Sequence, residues 1–177
     1  MRRPLAFLVL GGAGLVLQMT VLDVLPFGAL KPDLVLLLLL YLSGRSDAVS
    51  GGLVAFGLGY TMDILSGGPF GLFTVTKVVI YFLGYLAAKR VYLTAGLAPA
   101  VMAAVATVVE GLLVRVLYGA LGLDGRALGH GLLRYLVFQA LLMGALAPFL
   151  FHWLGRLDAW LGTVLPGGDD RRPASLL

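Results

Sequence analysis

The sequence predicts an all-α fold, a polytopic membrane protein of six transmembrane helices in one domain over residues 1–160, and three observations carry that expectation. Hydrophobic residues make up 60% of the 177 positions and charged residues 12%, against roughly 25% charged in a soluble domain. The apolar residues arrive in blocks that approach the ~20 residues needed to cross a bilayer as a helix. They do not alternate as in the strands of a membrane barrel. Short polar, Gly- and Pro-containing breaks separate the blocks. With a mean hydropathy of +0.99, a soluble core of this size could not hide so much leucine.

The first block, 5–22, follows Arg2 and Arg3. It resembles the start of a signal peptide but is long for one, and no A-x-A type site follows, so it is expected to stay uncleaved. Gly11, Gly12 and Gly14 mark either a close packing face or ordinary transmembrane glycine. After a loop at 23–31, Pro32 suits the first position of a second helix, DLVLLLLLYLS. Residues 32–43 would cover only ~18 Å of a ~30 Å core. That helix therefore starts earlier, thins the bilayer or is shielded by its neighbours.

A polar turn at 44–47 leads to the third segment, 48–65, in which Gly51, Ala55 and Gly59 stack on one face as a small-residue contact. Asp63 follows on that stripe before the turn SGGPFG at 66–71. It either ends the helix in water at the interface, binds a partner or clamps a neighbouring helix. The fourth segment is 70–88 and the fifth 97–121, the latter with a second stripe at Ala103, Thr107 and Gly111. The sixth runs over 132–154 with Pro148 as an expected kink. Trp153 and Trp160 fall where an interfacial aromatic belt would lie. Residues 161–177 read as a disordered cytoplasmic tail.

Six segments put both termini on one side. Arg2, Arg3, Arg45, Lys89, Arg90, Arg156, Arg171 and Arg172 lie there, with only Lys31 and Arg126 opposite. By the positive-inside rule both ends are cytoplasmic, and Asp63 with its turn faces outward. The same topology explains the net charge of +4, so no nucleic-acid partner is implied.

Lys77, Glu110, Arg115 and Arg134 lie inside segments, where a charge costs roughly 2.5–3.5 kcal/mol at mid-membrane. All four sit in the outer half, Lys77 and Glu110 at ~10–15 Å depth. Glu110 and Arg115 are about 140° apart around one helix, so Glu110 is expected to pair with Lys77 of a neighbour. Reversing both charges together should then restore what either reversal loses. Arg115 and Arg134 are expected to snorkel to the outer interface.

Catalytic signatures are missing. There are no cysteines, which excludes disulfides and thiolate chemistry. His130 and His152 fall on opposite sides of the bilayer, and no metalloprotease, nucleophile-elbow, phosphate-loop or dinucleotide motif occurs. Ser66 has no His or Lys near it in sequence. No enzyme activity, metal or cofactor is expected.

Pro32-Asp33 opening a leucine-rich helix, glycines at 51, 52, 57 and 59, then Asp63 with Ser66, Gly67, Gly68, Pro69 and Gly71, resemble the central pattern of the MreD family of rod shape-determining proteins. Length, six-segment layout and terminal orientation agree over almost the whole chain. The resemblance implies a non-enzymatic component of the bacterial inner membrane, a scaffold of the elongation complex. It would bind the bitopic protein MreC and help couple MreB filaments to peptidoglycan synthesis by RodA and its transpeptidase. It also implies a fold similar to the substrate-binding subunits of energy-coupling-factor transporters. A vitamin-binding subunit of that kind is the alternative, although the Ala-x-x-x-Ala coupling motif those subunits often carry on their first helix is missing from 5–22. Lys77 and the residues after Trp160 match no feature of the family pattern.

Overall fold

The computed structural model describes residues 8–15, 18, 32–89, 97–122 and 132–164, and every regular element among them is helical. They are α1 (residues 8–15), α2 (Leu34–Ser43), α3 (Ala48–Ser66), α4 (Leu72–Ala88), α5 (Ala98–Ala120) and α6 (Leu132–Val164). Three of them, α3, α5 and the Arg134–Ala159 stretch of α6, are long and apolar enough to cross a membrane. The basic residues Arg2, Arg3, Lys31, Arg90, Arg126, Arg171 and Arg172, together with His130, fall outside the described residues. The sixth helix runs ten residues past the expected Leu154, to Val164, so helix continues beyond the boundary expected for the tail.

The bundle is built around its shortest member. α2 is apolar all round, and each of its residues from Val35 to Ser43 is buried, as a helix without a polar face must be. It touches α3, α4, α5 and α6. Ten residues make ~15 Å of helix, half of a ~30 Å hydrocarbon core. Of the three ways to accommodate so short a segment, shielding by neighbours is the one observed.

Its start is also deep. The helix begins at Leu34, with Asp33 as N-cap and Pro32 ahead of the cap, so Pro32 stands two positions before the N1 site its preference predicts. The Asp33 N–H donates to Met143 Sδ at 3.4 Å, and Met143 lies ~14 Å along α6 from Arg134. α2 is thus a half-length helix whose N-terminus opens in the interior.

The remaining helices pair as two hairpins, α3 with α4 and α5 with α6. The small residues make both possible. A Cβ on Gly59 would stand 2.6 Å from Thr74 Cα and 2.9 Å from the Phe73 carbonyl oxygen, while Gly51 lies under the Tyr81 ring and Ala55 is fully buried. In the second stripe Ala103 and Thr107 are buried and Gly111 lies against Leu136 of α6. α6 passes through Pro148 without ending. The preceding turn leans on α5, where a Cβ on Gly144 would meet the Ala100 carbonyl oxygen at 3.1 Å. On α1 the three glycines part company: Gly11 packs on Leu58 and Leu38, whereas Gly12 and Gly14 face open space.

Outward faces are apolar. Val49, Leu53, Phe56, Tyr60 and Ile64 form an exposed stripe on α3, and Val101, Val105, Leu112 and Val116 one on α5. Surfaces of this kind need hydrocarbon around them, and the chain is a membrane protein. Trp153 is half-exposed on α6.

Candidate functional site

Two polar constellations interrupt this apolar interior, and each ties helices together. The first belongs to Asp63. It is 1% exposed, so it does not sit in water at the end of α3; of the roles open to it, the structure shows the helix clamp. α4 begins at Gly71, which has no side chain to cap the helix. Asp63 reaches across the turn and supplies the cap. Its Oδ1 accepts from Phe73 N–H at 2.8 Å, and its Oδ2 accepts from Gly71 N–H and Thr74 N–H, each at 3.1 Å, and from the Thr74 hydroxyl at 2.5 Å. Four donors leave the carboxylate few lone pairs to spare.

The turn residues fit this job. Gly67 (φ 63) and Gly71 (φ 91) adopt left-handed backbone, which L side chains rarely tolerate. Gly68 N–H donates to Ser66 Oγ at 3.4 Å, and the Pro69 carbonyl accepts from Leu72 N–H at 3.3 Å. Gly57 serves a different contact, with Leu8 of α1 where its Cβ would be.

The second constellation is a charge knot at the N-terminus of α2. Lys77 is wholly buried, and its Nζ donates to Glu110 Oε1 and to Asp33 Oδ2, each at 2.5 Å. The Lys77–Glu110 pair expected from the sequence is present. The third member, Asp33, is not a pairing the sequence predicts. Its other oxygen, Oδ1, accepts from Leu36 N–H at 2.9 Å, so one carboxylate both caps α2 and neutralises the lysine. A half-helix N-terminus inside a membrane bundle is a natural seat for negative charge. Gln18 adds to the cap: Leu34 N–H donates to its Oε1 at 3.1 Å.

Arg115 and Arg134 are exposed on the bundle surface. At the opposite end Arg45 lies 4.4 Å over the Tyr41 ring, donates to the Tyr41 hydroxyl and pairs with Asp158 of α6 at 3.7 Å. Tyr81 anchors that end too, its hydroxyl donating to the Asp47 carbonyl at 2.9 Å. His152 is exposed on α6. Among the described residues no group of three His, Cys, Asp or Glu comes together to hold a metal.

What the sequence missed was the company each residue keeps. An Asp directly before an apolar run is an N-cap signal, and at position 33 it could have located the helix start. That the cap lies beside Lys77 is a matter of depth. Thr74, eleven residues beyond Asp63, carries no signal at all. In chemical terms both constellations hold helices in register: Asp63 joins α3 to α4, and Lys77 joins α2, α4 and α5.

No curated protein and no solved structure matches this chain, so the likeness to transporter subunits rests on the family resemblance alone. The family model for rod shape-determining protein MreD matches residues 1–157. With the Pro32-Asp33 and Asp63-to-Gly71 motifs serving as helix cap and hairpin clamp within that span, the chain belongs to the MreD family.

Proposed function

We propose that this protein is a non-enzymatic, six-span scaffold of the bacterial inner membrane, with both termini in the cytoplasm. It binds MreC and helps couple MreB filaments to peptidoglycan synthesis by RodA and its transpeptidase. The family match over 1–157 supports a role in rod shape determination. The observation that carries the scaffold reading is how the interior acids are used: Asp33, Asp63 and Glu110 all bind groups of neighbouring helices. The placement of Arg45, Lys89 and Arg156 at one end of the bundle supports the orientation.

Both small-residue stripes are used within the bundle. A partner helix therefore has the lipid-exposed apolar faces to meet, and bulky substitution at Gly59 acts through folding. Affinity purification of the tagged chain from native membranes tests the reading. Recovery of MreC is expected; recovery of paired ATPases with a transmembrane coupling subunit would replace the scaffold with a transporter.

A further inference from the structure

The knot at the start of α2 does not balance. Lys77 brings one positive charge, and Asp33 and Glu110 bring two carboxyl groups, each with an oxygen 2.5 Å from Nζ. With both acids ionised, one negative charge is left over in the interior of a membrane bundle, where an unmatched charge is costly. The position between the acids that a second cation would take is filled by Nζ itself. A proton needs no such space.

The surroundings decide which acid is the neutral one. Asp33 accepts from Lys77 and from Leu36 N–H at the N-terminus of α2, where the helix dipole favours an anion. Glu110 lies within α5 and has Lys77 alone: Oε1 takes that bond, and among the described residues no donor reaches Oε2. The charges that act on it are Lys77 of α4 and Asp33 of α2. Arg115 on α5 itself and Arg134 on α6 are exposed, and Asp63 on α3 is committed to the hairpin. Tyr118 of α5 and Tyr135 of α6 are neutral phenols near pH 7, and the described residues of α1 carry no ionisable side chain.

We propose that the knot of Lys77, Asp33 and Glu110 is a binding site for one proton: in the folded chain at neutral pH Glu110 is a neutral acid with its hydroxyl at Oε2, and Asp33 alone answers the charge of Lys77. This requires only that the bundle lie in a bilayer and does not depend on which partners it binds.

Glu110 is the only glutamate of the chain, so protein made with glutamate carrying carbon-13 at the side-chain carboxyl gives one resonance to follow in nanodiscs. At neutral pH, well above the ~4.3 of a glutamate in water, the expected resonance is that of the protonated acid. In Asp33→Asn, whose side chain can still cap α2, Glu110 becomes the one counterion of Lys77 and should move to the carboxylate position. A carboxylate in the unmodified chain, or an acid that persists in Asp33→Asn, would overturn the proposal. A thermal readout keeps the test valid should Asp33→Asn not fold. Above pH ~4.3 the unfolded chain releases a proton that the folded chain keeps, so this site's contribution to stability falls as pH rises. Glu110→Gln copies the neutral acid and keeps an oxygen for Lys77, so its Tm minus that of the unmodified chain should grow as pH rises. A difference that stays flat or shrinks is what an ordinary ion pair gives, and it would overturn the proposal as well.

Discussion

Asp63 shows how one carboxylate can organise a hairpin inside an apolar bundle. Its four donors all come from the Gly71 to Thr74 stretch, so removing it leaves three backbone N–H groups of α4 without their acceptor. Buried donors left unmatched cost about 1–3 kcal/mol each. Asp63→Ala should therefore lower stability by on the order of 3 kcal/mol or more, seen as a fall in Tm in detergent with faster hydrogen exchange at Gly71, Phe73 and Thr74. Asp63→Asn, with one carbonyl oxygen left, should recover only part. Lys77 has the reverse problem: Lys77→Met abandons two carboxylates, at a cost of about 3–5 kcal/mol. Adding Asp33→Asn and Glu110→Gln should restore most of the lost Tm. Simple reversal of Lys77 with Glu110 should not, because Asp33 would then face a glutamate at position 77.

At the scale of elements, α2 is the part least legible in the sequence. The ranges of α3, α4 and α5 follow from where apolar blocks meet Gly, Pro and charge, and they fall within two residues of expectation. Depth is different, because it is set by neighbours. Nothing in LVLLLLLYLS says that the helix starts beside Met143 instead of at the membrane surface. The Lys77–Glu110 pair was legible because two opposite charges in apolar segments need each other; Asp33 was hidden because the sequence places it at the opening of the second helix without fixing how deep that opening lies. Glycine stripes showed the same limit. Spacing located the contact faces of α3 and α5, but only packing separates Gly11 from Gly12 and Gly14. Gly59→Ala pushes a methyl into α4 backbone and should lower Tm by several degrees, while Gly14→Ala, facing open space, should leave it unchanged or raise it.

The molecule as a whole inverts the soluble pattern, with apolar faces outside and charge knotted within. Its two ends differ in kind: a tight hairpin clamped by Asp63 at one, and the Arg45, Lys89 and Arg156 side chains at the other. The proposed scaffold, linking wall synthesis outside to filaments inside, would need that asymmetry to be fixed across the bilayer. The buried Asp63 cannot report it, but Ser66 beside it is exposed, as is Gly44 at the other end of the bundle. The chain has no cysteine of its own, so single Cys substitutions give a clean background for a membrane-impermeant maleimide. Ser66→Cys should be labelled in spheroplasts of intact cells and Gly44→Cys only after the inner membrane is permeabilised; labelling in the opposite order would contradict the orientation and the scaffold built on it.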